Sequence, residues 1–299
     1  MEKKKTTILK WIILLVLVLI WGSSYILMKR GLESYPAMQV GALRIAISFL
    51  VLSPIIVMRF RRIKKDKIKF FILAGLLGNG IPAFLFAEAQ TGIDSQVAGI
   101  LNSVAPLFTL IIGVLFFSFR TKWYNVMGVF IGLAGAVGLL SAGDGKSFSS
   151  NFGFGFYIII ATILYATNIN LVKKYLKDID AITISGFAFL FIGVACIIYL
   201  IAGTDFISRA QEMPNAVKSL GYISILAILG TAIATILYNY LIKISSILFT
   251  ASVTYIIPIV AIMWGLLDGE PFYLGYFLWI ALIFVGVFLV NKESKLDRK

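Results

Sequence analysis

Few residues of this 299-residue chain can do chemistry inside its long apolar stretches, and their types limit what that chemistry is. Arg44 is the one charge set deep in such a stretch, eight residues on from Pro36, which is roughly 12 Å from the helix end at 1.5 Å per residue. A lone guanidinium in hydrocarbon costs at least roughly 2.5–3.5 kcal/mol on insertion scales, so Arg44 is expected to face a cavity, a carboxylate or helix-end carbonyls. Two roles follow: a tie between helices through those carbonyls, or a contact to the anionic group of a bound solute. Glu88 lies near the end of the third stretch, at a depth that reaches Arg44 or a cavity mouth. It is either a solvated helix-end charge or, with burial, the carrier of a coupling proton.

Neutral groups at matching depths complete the set. Ser24 and Asn102 sit toward one membrane face, Asn168 and Thr254 toward the other, and each is either a substrate-binding group or ordinary glue between helices. Pro106 and Pro258 each remove a helix hydrogen bond and crowd the carbonyl four residues earlier, at Asn102 and Thr254. A freed carbonyl beside a polar side chain makes a gating hinge or cavity-lining element, unless the proline is only a passive kink. Among the aromatics, Trp21 and Tyr255 are expected near the midplane as cavity wall, with Tyr165 and Tyr238 left open. Trp11, Trp123, Trp264 and Trp279 are expected at the interface belt or facing lipid.

Other chemistries find no footing. The chain has no histidine and one cysteine, Cys196, within an apolar stretch. Zinc sites and histidine relays are thereby removed, an intrachain disulfide is impossible, and no stretch holds paired carboxylates or a nucleophile with its base. No GxxxxGK[ST] phosphate loop is present, which argues against ATP-driven transport by this chain. No catalytic residue, metal ligand or cofactor is assigned.

The elements that must position these residues are membrane helices. Hydrophobic residues make up 60% of the chain and charged residues 14%. With about 20 apolar residues needed to cross the hydrocarbon layer, ten spans are read at 11–28, 36–58, 69–90, 96–118, 122–141, 153–174, 180–202, 217–241, 246–267 and 272–291. Backbone groups in lipid must be satisfied within each segment, and the alternating strands of a barrel are absent, so the fold class is an all-α polytopic membrane protein. A signal peptide at the N-terminus fails on length and on the missing small-residue cleavage pattern.

Basic residues orient the spans. With the N-terminus cytoplasmic, 21 of the 27 Lys and Arg residues fall on its side and five on the other, so both termini are expected inside, 59–69 cytoplasmic and 142–152 outside. This bias accounts for the net charge of +13 without a nucleic-acid partner and makes anionic lipid headgroups the neighbours of these residues.

The pattern also occurs twice. Trp21-Gly22-Ser23-Ser24 through Lys29-Arg30 is echoed by Tyr165-Ala166-Thr167-Asn168 through Lys173-Lys174, and Ala105-Pro106 with Gly113 by Ile257-Pro258 with Gly265. Five spans per half force the second half to enter from the opposite face, so ten helices form two inverted five-helix repeats, 1–145 and 150–299. This construction is common in secondary transporters, which place the substrate site between the halves.

The motifs Trp21-Gly22-Ser23-Ser24-Tyr25, Leu43-Arg44, Ala98 through Pro106 with Gly113, Gly269-Glu270-Pro271 and Gly286 through Asn291 resemble, in order and spacing, the drug/metabolite transporter superfamily in its ten-helix EamA family. The resemblance covers nearly the whole chain. It implies an inverted-repeat carrier with a central cavity, in a bacterial-type inner (plasma) membrane, moving small metabolites such as amino acids and related compounds, often outward. Two positions depart from the family pattern: Phe119, where a glutamate like Glu270 is frequent, and Trp279, where glycine is usual.

The combined expectation is a secondary transporter, monomer or homodimer, working by alternating access. Its substrate-binding residues are Trp21, Ser24, Arg44, Asn102, Asn168, Thr254 and Tyr255, its gating residues Pro106 and Pro258, and its coupling group Glu88. The competing reading is a membrane sensor or scaffold that moves no solute, which the short loops and the lack of a soluble output domain disfavour.

Overall fold

The computed structural model describes residues 2–60, 65–117, 122–141, 148–251 and 253–291. Among them there is helix and short connection but no strand. In order the helices are α1 (Glu2–Leu32), α2 (Ala37–Arg59), α3 (Ile68–Gly75), α4 (Ile81–Ala89), α5 (Ser95–Asn102), α6 (Ala105–Phe117), α7 (Trp123–Ser141) and α8 (Phe148–Tyr175). They continue with α9 (Ala181–Ala202), α10 (Phe206–Glu212), α11 (Ala216–Ala227), α12 (Ala234–Ile244), α13 (Ile247–Ala251), α14 (Val253–Leu267) and α15 (Gly275–Asn291).

Eight of the ten expected spans are long and apolar enough to cross a membrane, from Ile8–Leu32 to Phe249–Leu267. The fifth and tenth are shorter apolar helices, Trp123–Leu139 and Gly275–Val290. The tenth begins after the expected 272 because the chain turns at Gly269, whose φ of +79° suits a residue without Cβ, and Pro271 follows in an extended connection. The short helix α10, between the seventh and eighth spans, is not anticipated by the hydropathy pattern.

Packing interlocks the two halves. α2 lies along α9, α7 along α15, α1 against α14, α11 and α12, and α8 against α6 and α4. Exchanging the first five spans with the last five leaves this set of neighbours unchanged, as an inverted-repeat fold requires. Close approach of α7 and α15 depends on glycine: a methyl group on Gly128 would sit 2.5 Å from the Gly286 carbonyl oxygen, and one on Gly286 equally close to that of Gly128. Trp279, expected at the lipid or the interface, instead lays its ring over Gly138, where any Cβ would overlap it. Phe119 lies outside the described residues.

Two spans change helix type at matching places. A π-helical turn occupies Leu76–Gly80 between α3 and α4, and another Ile228–Ile233 between α11 and α12. Aligned, Gly78-Asn79 stands opposite Gly230-Thr231. A π turn widens the helix and disturbs the regular i→i−4 ladder, which is why such turns gather at functional sites.

The prolines behave less symmetrically than their spacing suggests. Pro258 lies inside α14, where it does remove the hydrogen bond to the Thr254 carbonyl. Pro106 is the second residue of α6, beyond a break after Asn102, where Ser103 and Val104 close tight turns onto Ile100 and Leu101. A helix start tolerates proline because its missing N–H would have no intrahelical partner, so Pro106 accommodates a break rather than kinking a continuous helix.

Candidate functional site

Between the halves lies a cavity of about 930 Å3, counted out to its mouth. Six of the seven expected substrate-binding residues line it: Trp21, Ser24, Arg44, Asn102, Asn168 and Thr254. Tyr255 does not; it is half-buried within α14, one position past Thr254 and therefore turned about 100° away around the helix. Tyr165 and Tyr238, left open by the sequence, are on the wall, and Tyr25, Asn79 and Phe86 join them. Tyr25 was legible as the residue one turn after Trp21, on the same helix face; Asn79 and Phe86 had no signal in the sequence, since their exposure to the cavity depends on the π turn before α4.

Arg44 is nine-tenths buried, and its Nε donates to Thr231 Oγ1 at 2.6 Å, linking α2 to the π turn of the eighth span. Among the described residues it has no carboxylate partner; its polar neighbours are the phenols of Tyr25 and Tyr165. Glu88, expected within its reach, is half-buried on α4 and does not line the cavity. As the penultimate residue of α4 it lies beside the connection to α5, where its carbonyl accepts from the Thr91 hydroxyl. The guanidinium charge is thus left facing the cavity.

Both π turns are held by cavity side chains. Trp21 Nε1 donates to the Gly230 carbonyl at 2.9 Å, and Ser24 packs so closely that a methyl group on Gly230 would lie 2.6 Å from its Oγ. Asn168, which echoes Ser24 in the other half, stands against Gly78 in the same way, 2.4 Å from where a Cβ would be. The turns are also coupled through Thr235, whose hydroxyl donates to Asn79 Oδ1 at 3.0 Å. The aromatic wall is ordered by edge-on contact of Trp21 with Tyr238, centroids 5.0 Å apart, and by stacking of Phe86 on Tyr165 at 5.9 Å. Such a wall suits an apolar or aromatic group, with Arg44 as its charged end.

A network of charges closes the end of the bundle where α1 terminates. Lys29 Nζ bridges Asp268 at 2.7 Å and Glu270 at 2.8 Å, and Arg30 also pairs with Asp268. Glu270 further accepts from the Ser95 hydroxyl at 2.7 Å and from the amides of Ser95 and Gln96 at 3.1 Å, so it caps the first turn of α5. Burial works to raise the Glu270 pKa, but the hydrogen bonds from Lys29, Ser95 and Gln96 prevail and hold it below the ordinary value of 4.5. At the opposite end Lys173, the counterpart of Lys29, donates among the described residues to carbonyls, those of Ile242 at 2.5 Å and Ser245 at 2.7 Å.

The model of the EamA-like transporter family matches this chain twice, over residues 9–141 and 154–292. The chain belongs to that family. It is a multi-pass membrane protein of the transporter class, and relatives of this EamA member share nearly its full length. An uncharacterized inner membrane transporter, YedA of Escherichia coli K12, is 30% identical over 90% of this chain and 85% of its own. A probable terminal-alkyne amino-acid exporter of Streptantibioticus cattleyicolor is 21% identical over 94% and 93%. A protein of known crystal structure has the same fold, with a TM-score of 0.67 at 16% identity, covering 96% of this chain and 98% of its own.

Proposed function

We propose that this EamA-family protein is a secondary carrier of small metabolites that bear an anionic group, amino acids and related compounds among them. The observation that carries this reading is Arg44: a buried guanidinium on the wall of a central cavity with no carboxylate partner among the described residues. An anion entering so apolar a space is held more strongly than in water, because the surroundings screen the charge less. Trp21, Ser24, Asn102, Asn168 and Thr254 complete the site, and the repeats 1–145 and 150–299 rock about it to expose it to alternate faces.

The bias of basic residues supports both termini in the cytoplasm, and the relationship to an inner membrane transporter supports a bacterial-type inner membrane. In that orientation the Lys29, Asp268 and Glu270 network seals the outer end. Export is the direction that the relative named as a probable terminal-alkyne amino-acid exporter supports. Glu88 does not touch the cavity, so no proton step is routed through it.

The test is flux of labelled amino acids in vesicles reconstituted with the pure protein, run with Arg44→Lys and Arg44→Gln. Gln loses charge and fork and is expected to lower transport of a carboxylate-bearing solute about tenfold or more, with Lys intermediate. Normal expression and unchanged flux for Arg44→Gln would reduce the arginine to a helix tie. Specific binding without flux would favour a sensor.

A further inference from the structure

The repeat makes the two ends of the bundle comparable residue by residue, and they differ in charge. At one end Lys29 and Arg30 are neutralised by Asp268 and Glu270 of the other half. At the opposite end their counterparts are Lys173 and Lys174, and Lys174 Nζ lies 5.0 Å from the ring centroid of Phe117, in the segment that answers the one holding Asp268. That segment reads Phe116-Phe117-Ser118-Phe119-Arg120-Thr121-Lys122, with two bases where the other half carries two acids. It supplies no anion.

Further positive charge gathers around Lys173. Its Nζ donates to the carbonyls of Ile242 and Ser245 at the end of α12, and beside them Lys243 Nζ reaches back to the Lys177 carbonyl just past α8, at 2.9 Å. Lys10 of α1 completes the group, since the charges acting on Lys173 are those of Lys10 and Lys243, with no carboxylate among the described residues. Of the acids past α8, Asp180 pairs with Arg59, and Asp178 is exposed and forms no ion pair with the three lysines. An ammonium has three N–H donors; two of those on Lys173 and one on Lys243 are spent on carbonyls, and Lys10 holds no hydrogen bond among the described residues.

We infer that Lys10, Lys173 and Lys243 form a binding site for a phosphate anion, carried by a lipid headgroup or free in solution, at the end of the bundle opposite the Lys29 network. Three like charges from α1, α8 and α12 repel one another, and a phosphate offers both the charge and the acceptor oxygens to join them. It would do for this end what Asp268 and Glu270 do for the other. Each lysine is half-buried and lies within two residues of the end of its membrane span, the depth at which headgroup phosphates and dissolved anions are both met. The site is separate from the cavity: none of the three lysines lines it, and Lys173 stands five residues past Asn168, about 7.5 Å further along α8.

The experiment follows thermal unfolding of the full chain in nanodiscs of zwitterionic phosphatidylcholine. In one arm inorganic phosphate is added, against chloride at equal ionic strength; in the other, phosphatidylglycerol replaces part of the lipid in phosphate-free buffer. At least one arm is expected to raise the unfolding midpoint by several degrees. A response to phosphate assigns the site to a soluble anion, and a response to phosphatidylglycerol alone assigns it to a lipid headgroup. Lys10→Gln and Lys173→Gln should each weaken the response about tenfold in anion concentration, whereas Lys69→Gln, which removes an exposed charge from α3, should leave it unchanged. The inference is overturned if neither source stabilises the protein beyond chloride, or if Lys69→Gln lowers the response as much as Lys10→Gln, the result that diffuse attraction to a basic surface would give. Should Lys173→Gln fail to fold, Lys10→Gln decides, because it breaks no hydrogen bond among the described residues. Flux is not read, so loss of the carrier reading would leave this site standing.

Discussion

Lys29 Nζ lies 2.8 Å from Glu270 Oε1, and that single contact joins the end of α1 to the segment between α14 and α15 and, through the amides of Ser95 and Gln96, to the start of α5. Three segments, drawn from both halves, meet at one carboxylate whose side chain is only 2% exposed. At the other end of the bundle Lys173 donates among the described residues to carbonyls. The two symmetry-related lysines therefore sit in unequal surroundings, carboxylates around Lys29 and carbonyls around Lys173.

The seal is pH-dependent in a defined direction. Because the folded-state pKa of Glu270 is depressed, its stabilisation is fully present above the ordinary value of 4.5 and is lost as the pH falls through the depressed value. Glu270→Gln is expected to cost about 1–3 kcal/mol at neutral pH, since it unpairs buried amides and Lys29. Thermal unfolding of both forms across pH should show that gap narrowing only on the acid side of 4.5; a gap constant with pH would remove the carboxylate charge from the explanation.

At the π turns, Gly78→Ala and Gly230→Ala put a methyl group within 2.4 and 2.6 Å of Asn168 and Ser24. Each should slow transport by about tenfold while expression stays near normal, because the displaced atom is a side-chain tip rather than backbone. Shortening the neighbour, as in Gly230→Ala with Ser24→Ala, should restore part of the loss. Strict additivity of the two changes in flux assays would mean that they do not act through this contact.

The two prolines should give unlike results. Pro258→Ala restores a donor to the interior of α14 and is expected to stabilise the protein and slow exchange between facing states, whereas Pro106→Ala at the start of α6 should alter stability by under about 1 kcal/mol. Thermal unfolding and inter-half distance distributions on both variants check this. Matching shifts in the two would restore the prolines as equivalent hinges.

Topology is open to a direct check with single cysteines in a Cys196→Ser background. Asp66 and Glu212 are both exposed, before α3 and at the end of α10. An impermeant thiol reagent added to intact cells should label Glu212→Cys and spare Asp66→Cys. The opposite pattern would invert the orientation and turn the Lys29 network toward the cytoplasm.

Much of the architecture was legible without coordinates because lipid enforces it: each span must be long, apolar and helical, and the echo of Trp21 to Arg30 in Tyr165 to Lys174 exposed the repeat. The position of Arg44 and the depths of Ser24, Asn102, Asn168 and Thr254 followed from residue count along a helix of known rise, and all five reach the cavity. Rotation about the helix axis was a different matter. Tyr255 beside Thr254, or Glu88 at the right depth, face away because one residue turns the chain by about 100°, and a span this apolar carries no polar stripe to mark its inner face. The π turns at Leu76–Gly80 and Ile228–Ile233 likewise carry no mark in the hydropathy pattern, and the side chains against them, Asn168 and Ser24, come from distant parts of the chain. The charges of Lys29, Asp268 and Glu270, separated by some 240 positions in the chain, become one network only when α1 and α14 lie side by side, a pairing that hydropathy cannot specify and that close packing of complementary surfaces decides.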